Sequence, residues 1–326
     1  MIREREVIAR LRRIATAPEA RGLLDDVAVL GRMVVTHDTI AEGVHFLSSD
    51  PPASVGWKLV AVNLSDLAAK GAKPAGALLS LTICGPGKWE LDFLGGVEAA
   101  CESYGLPLIG GDTIALPAGS PRVLGLTAIG SAGKRVPDRA GGSPGDSLWL
   151  VGTVGDAAAG LAQLLENRNA TGPLVDIYRR PVPQLSAGLV LAPQANAMMD
   201  VSDGLLLDAE RLAQASRCRA VIHLDTLPLS RAFVAEHGQG ERARLLAATG
   251  GDDYALLAAL PSDVDPSTLS LPEGTTIERI GSLEKGQPEI RLLNEGRPVE
   301  LPEKLGFEHS HDQHRGLSGT PMADRP

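Results

Sequence analysis

Two hydrophobic rhythms alternate along the chain. Short apolar runs at residues 27–30, 33–35, 77–83, 106–109 and 123–129 predict strands. Several are so continuously apolar that both faces should be buried. Between them, residues 54–70 and 89–104 follow helical spacing, with Trp57, Val60, Ala61, Leu64 and Ala68 forming the inward face of the first. Gly71 and Pro74 fall just beyond it, as a stop signal should.

A Gly/Pro/charged stretch, 132–146, reads as a connector between two halves. The pattern then resumes with a strand at 147–151, which runs through Gly152 and Gly155 into a helix at 156–166. Further helices are predicted at 208–215 and 241–248, and strands at 220–224 and 254–259. This is an α/β pattern without a short repeat, and it predicts a two-domain chain: 1–135, 146–308 and a disordered polar tail, 309–326. At the N-terminus, Val7, Ile8, Leu11 and Ile14 give the stripe of a docked helix.

Composition narrows the function. A net charge of −9 lacks the basic footprint that nucleic-acid binding requires, and 3% aromatic residues offer little for base stacking. No apolar run reaches the ~18 residues of a membrane span. Cys84, Cys101 and Cys218 are widely spaced, as buried thiols in a reducing compartment would be. Glu4 and Glu6 argue against an organellar presequence, so a cytoplasmic location is expected.

The aspartates carry the chemistry. Asp25 and Asp26 precede an apolar run. Asp38 follows one, Asp112 follows another across Gly110-Gly111, Asp200 and Asp203 follow the run 195–199 in MMDVSDG, and Asp252 and Asp253 precede a strand in TGGDDYALL. Ligand sites of α/β folds form at the carboxyl ends of strands, so these acids can converge in one cleft. Such a cluster repels itself and calls for hard divalent cations, Mg²⁺ or Mn²⁺ rather than Zn²⁺. Singly, an Asp beside Gly is an ordinary turn former or helix cap, and Asp66 with Lys70 can pair along one helix. The recurrence across both halves is the signal.

A polyphosphate nucleotide suits a metal-loaded acidic cleft. The usual cradles are missing: Gly133-Lys134 lacks the rest of a P-loop, and there is no dinucleotide fingerprint or nucleophile–base pair. Transfer onto a phosphate acceptor needs no such pair. A phosphomonoester, with a second pKa near ~6, is already an anionic nucleophile at neutral pH. What remains is to hold two polyanions in line and offset their repulsion.

The strings LLDDVAVL, VVTHDTIAEGVHF, WKLVAVNLSDLAAKGAKP, LPLIGGDT, VGTVGDAAAGL, MMDVSDGLLLD and GGDDYALL resemble, in order and spacing, those of the thiamine-monophosphate kinases. DVSDG and GGD are shared with the wider superfamily of aminoimidazole ribonucleotide synthetase and selenophosphate synthetase. The resemblance spans residues 20–310. It implies two α/β domains, with N-terminal domains pairing into a barrel-like homodimer and active sites along that junction. It further implies Mg²⁺-assisted in-line transfer from ATP to thiamine monophosphate. Matched by motif, the metal positions are Asp26, Thr36, His37, Asp38, Asp66, Asp112, Asp200 and Asp203, with Asp66, Asp112 and Asp203 as the catalytic set. The ATP positions are Tyr104, Gly111, Asp112, Arg139 and Ser202. The substrate positions are His45, Asp252 and Phe307. Three positions depart from the family pattern: Leu24 before Asp25-Asp26, His37 in place of Thr, and Asp252 in place of Glu. Rival readings are another ATP-dependent enzyme of the superfamily and a non-catalytic nucleotide or metal sensor.

Overall fold

The computed structural model describes residues 4–308. An N-terminal helix α1 (Glu4–Leu11) is followed by β1 (Ala28–Leu30), β2 (Met33–Ala41), α2 (Pro52–Ala69), β3 (Ala72–Ile83), α3 (Lys88–Tyr104), β4 (Leu108–Ala115) and β5 (Val123–Ala132). These five strands form one sheet in the order β1-β2-β5-β3-β4. β3 and β4 run parallel, while β5 runs antiparallel to both β2 and β3. The sheet is open at both edges, so the described residues form no closed barrel within one chain.

The second lobe comprises β6 (Ser147–Val151), α4 (Asp156–Glu166), α5 (Pro173–Arg179), α6 (Leu185–Leu191), β7 (Ala197–Val201), α7 (Leu205–Ser216), β8 (Arg219–His223), α8 (Arg231–His237), α9 (Glu241–Thr249), β9 (Ala255–Leu260), β10 (Ile277–Glu284), β11 (Ile290–Asn294) and β12 (Arg297–Val299). Its seven strands order as β12-β11-β8-β10-β6-β9-β7, and only the β11–β8 pair is parallel.

Helix α2 joins the lobes. Of its 18 residues, 15 are buried, because it packs on β2, β3 and β5 on one side, on α3 beside it, and on α6 and β7 of the second lobe. Pro52 starts it, where a missing N–H costs nothing. It stops at Gly71, whose φ is +55° and where a Cβ would come within 2.3 Å of the Ala192 Cβ. The core runs continuously from Val34, Leu59 and Leu126 into Leu191, Met198 and Leu256 of the second lobe.

Three expectations are corrected. The apolar run at 106–109 is not a doubly buried strand: β4 begins at Leu108, lies at the sheet edge and is exposed along its whole length. The stripe of α1 is not docked, since Val7, Leu11 and Ile14 are exposed. Asp38, Asp112 and Asp200 do not follow their strands but lie within β2, β4 and β7. Cys84 and Cys218 are buried free thiols, and Cys101 is half-buried. No helix among the described residues is long and apolar enough to cross a membrane. The tail expectation, 309–326, lies outside the described residues.

Candidate active site

Three segments distant in sequence bring carboxylates together around α2. Asp26 comes from the loop before β1, Asp66 from the last turns of α2 and Asp200 from β7. One oxygen from each lies within 4.8 Å of the others. Asp66 and Asp200 are buried. At an effective dielectric of about 20, two full charges at that separation repel by roughly 3.5 kcal/mol.

Each acid is held by its neighbours. Asp25, whose side chain is buried, accepts from Lys70 Nζ at 2.5 Å and from Arg21 at 2.5 Å, which anchors the loop and turns Asp26 toward the cluster. Burial opposes its ionisation, yet Lys70 and Arg21 outweigh that and hold its carboxyl below the usual range. The hydroxyl of Thr36 donates to Asp66 and that of Ser65 to Asp200 at 2.8 Å. β1 pairs with β2 only as far as Val35, so the later half of β2 is open to α2. There the Asp38 amide donates to Asn63 Oδ1 at 3.0 Å.

Burial, then the charges of the other acids, push Asp66 and Asp200 well above the ordinary carboxylate range. The same causes push Asp38 up to about 6, with Asp26 and Asp203 as its charged neighbours. Arg139 donates to Asp26 Oδ1, and the Arg139 carbonyl accepts from Ser216 at 2.9 Å. Asp26 Oδ2 is buried with no hydrogen-bond partner among the described residues, the Lys70 ammonium standing 3.8 Å away. An all-carboxylate donor set with one orphaned oxygen fits a hard divalent cation such as Mg²⁺.

The second lobe contributes two linked loops. In the turn after β7, Asp208 accepts from the amides of Ser202 and Asp203 at 3.1 Å each, and Arg211 bridges Asp203 and Asp208 at 2.6 and 2.8 Å. The loop before β9 locks onto this turn: the amides of Asp252 and Tyr254 donate to Ser202 and Val201 at 2.7 and 2.8 Å. Asp252 and Tyr254 both adopt left-handed backbone, φ 68° and 52°, a conformation non-glycine residues enter only when their surroundings compel it. The Phe307 amide donates to the Asp203 carbonyl at 2.8 Å, which brings the end of the described chain to the same turn.

Two family models match the chain: AIR synthase related protein, N-terminal domain, over residues 24–132, and AIR synthase related protein, C-terminal domain, over residues 143–292. The thiamine-monophosphate kinase of Caulobacter vibrioides is 36% identical over 325 residues, covering 93% of this chain and 89% of that protein. The chain belongs to the thiamine-monophosphate kinase family. The Escherichia coli K12 member is 35% identical over 306 residues, covering 88% of this chain and 91% of that one. The solved complex of AaThiL with AMPPCP and TMP superposes with a TM-score of 0.81 at 31% identity, covering 94% of this chain and 97% of the other.

In this kinase-family chain, Asp26, Asp66 and Asp200 converge as the motifs suggest, with Thr36, Asp38 and Arg139 beside them and Asp203 close enough to influence Asp38. Ser202 and Asp252 meet through the backbone bond above. His45 and Asp252 both bind Lys58, at 3.0 and 2.7 Å. Four positions stand apart. His37 alternates with Thr36 and Asp38 on β2, so its imidazole takes the other face, where it meets Thr127 Oγ1 at 2.9 Å. A side-chain metal ligand is therefore not what His37 presents.

Gly111 and Asp112 lie on exposed β4, and no side-chain hydrogen bond or ion pair engages Asp112 among the described residues. Gly111 must be glycine, since at φ +152° a Cβ would stand 2.0 Å from the Leu79 carbonyl oxygen. Tyr104 meets Trp57 edge-on at 5.6 Å. Positions 57 and 66 are nine residues apart, half a turn out of phase, so Tyr104 lies across α2 from the carboxylates.

Sequence reading missed Lys58, Asn63, Ser65, Asp208 and Arg211, and it treated Lys70 as a partner for Asp66. For Lys58, Asn63 and Ser65 the one signal was the density of polar residues in α2, a helix otherwise apolar all round; Asp208 and Arg211 lie on α7 and left none. Gly152 and Gly155 lead into the N-terminus of α4, which is filled from within: Asp253 accepts from the Gly155 and Ala157 amides at 2.8 and 3.3 Å.

Proposed function

We propose that this chain transfers the γ-phosphoryl group of ATP to the phosphate of thiamine monophosphate, giving thiamine diphosphate and ADP. The convergence of Asp26, Asp66 and Asp200 within 4.8 Å carries this reading, because a buried carboxylate cluster can receive a polyphosphate only together with cations. Mg²⁺ would be held by these three acids, with Thr36, Asp38, Asp112, Asp203 and the His37 main chain as further positions. When bound, it would neutralise phosphate oxygens and the developing charge between donor and acceptor. Arg139, the cation already aimed into the cluster, would hold phosphate oxygens with Ser202, Gly111 and Tyr104. His45, Asp252 and Phe307 would hold the thiamine moiety. No residue has to remove a proton from the acceptor, whose phosphate is already anionic at neutral pH.

The solved complex with AMPPCP, a nucleotide whose β,γ bridge is a methylene, and TMP supports the pairing of donor and acceptor. The presence of two separate sheets supports a division into domains at 1–135 and 146–308. Exposure of β4, with Leu108 at 50%, Ile109 at 59% and Ile114 at 50%, supports pairing of two N-terminal lobes through that edge as a homodimer. Such pairing would bring Gly111 and Asp112 of one copy to a junction they do not reach alone. A biosynthetic kinase of this kind belongs in the cytoplasm, where ATP is supplied.

The test is an assay of purified protein with Mg²⁺, ATP and thiamine monophosphate for thiamine diphosphate. Absence of product would end the assignment. Asp66→Asn and Asp112→Asn, each still folded, are expected to lose turnover. A sensor would have no turnover to lose.

A further inference from the structure

Lys58 has no part in the metal or nucleotide positions, yet it is only 2% exposed. A buried ammonium persists only where contacts replace its lost hydration. Lys58 has three such contacts, drawn from both lobes. Nζ donates to the His45 carbonyl at 3.0 Å and to Asp252 Oδ2 at 2.7 Å, and it stands 4.2 Å from the centroid of the Tyr178 ring on α5. The second Asp252 oxygen accepts from the Tyr254 hydroxyl at 3.0 Å. Asp252 is thus gripped at both oxygens on a left-handed backbone, while its side chain keeps 28% of its surface open. On the other side, the Ala41 amide donates to His45 Nδ1 at 3.1 Å, which fixes the ring of the residue whose carbonyl Lys58 holds.

We propose that Lys58 is a positioning residue for the phosphate-acceptor substrate. Its ammonium sets one spacing between His45 of the first lobe and Asp252 of the second, so that both meet the thiamine moiety together. The thiazolium ring of that substrate is cationic, and an anchored, still-reachable carboxylate is the group to receive it. Without the ammonium, Asp252 Oδ2 loses its only cation among the described residues, and the carboxylate becomes free to turn from the His45 loop. The proposal rests on His45 and Asp252 contacting thiamine monophosphate.

Steady-state kinetics of the full chain, with each substrate varied in turn, test it. Lys58→Met is expected to raise KM for thiamine monophosphate by about tenfold or more and to leave KM for ATP within about twofold, the pattern of a lost ground-state contact confined to one substrate. Lys58→Gln, which keeps a hydrogen-bonding group but no charge, serves as the second variant should Met impair folding, and it is expected to behave likewise. In an Asp252→Asn background the Lys58 substitution should cost less than about threefold, because the group it positions is already altered. An unchanged KM for thiamine monophosphate in a folded variant, equal rises for both substrates, or equal costs in the two backgrounds would overturn the proposal. Absence of turnover by the wild-type chain would instead overturn the activity itself.

Discussion

Asp66 and Asp200 are hydrogen-bonded by Thr36 and Ser65, yet both remain pushed well above the ordinary carboxylate range by burial and then by the charges of neighbouring acids, Asp26 and Asp38 among them. Asp38 is raised from 3.8 to about 6. A carboxyl whose folded pKa exceeds its unfolded one binds more protons when folded. Its contribution to stability is complete below the unfolded pKa and is lost as pH rises through the folded value. Divalent cations compete with those protons and replace that contribution where the acids ionise. The gap in melting temperature between Mg²⁺ and chelator is therefore expected to widen from about pH 5.5 to about pH 8. A constant or narrowing gap, read by calorimetry, would argue against a metal at these carboxylates. Asp200→Asn removes one of the repelling charges. It should melt above wild type in chelator at about pH 8, lose most of the Mg²⁺ shift, and lose turnover by about 10²-fold or more. At this scale the acids were legible because glycines and apolar runs flank them. Lys58, Asn63 and Ser65 were not, because in a helix buried on nearly every side polar residues do not mark a solvent face.

Helices α2 and α3 cross with their backbones nearly touching. A Cβ on Gly56 would stand 2.2 Å from the Phe93 carbonyl oxygen, and one on Gly96 would stand 1.9 Å from that of Ala53. Both obstacles are main chain and cannot rotate aside. Gly96→Ala is expected to lower stability by about 1–3 kcal/mol or more, even though alanine is the better helix former by about 1 kcal/mol. Denaturant unfolding would show it, and a variant as stable as wild type would mean that the helices can separate. Because α2 carries Asp66 and Lys58, the same substitution should also weaken Mg²⁺ stabilisation. The long central elements were legible: α2 was expected at 54–70 and spans Pro52–Ala69, and the strand expected at 147–151 is Ser147–Val151. α5, α6, α8 and the strands β10 to β12 left no readable period, being seven residues or fewer or, in β10, broken by a register shift between Arg279 and Gly281. β4 misled through its apolar residues, since composition cannot tell a strand buried in its own chain from one at an open edge.

For the molecule as a whole, the open β4 edge meets the question of how Asp112 could act. Asp26, Asp66 and Asp200 sit where the two lobes meet around α2, while Asp112 lies on the exposed outer strand of the first sheet. A monomer leaves it apart from the other acids. If two first lobes pair through β4, the apolar Leu108, Ile109 and Ile114 become buried, and Asp112 comes to lie along the shared junction. Exposed hydrophobic edge strands that stay soluble are normally covered, and a second copy would cover this one with its own matching row. Light scattering of the wild-type chain at micromolar concentration is therefore expected to give twice the chain mass of 34.0 kDa. Ile109→Glu puts a charge on the exposed edge, at the point where the β3–β4 register shifts, and leaves Asp112 itself unaltered. It should weaken association at least about tenfold, a change of about 1.4 kcal/mol, and shift the mass toward one chain. Specific activity should fall with dilution in step with dissociation, because the dissociated chain retains Asp66 and Asp200 but has no second edge to bring to Asp112. A wild-type mass of a single chain with full activity would remove both the pairing and any part for β4 in turnover.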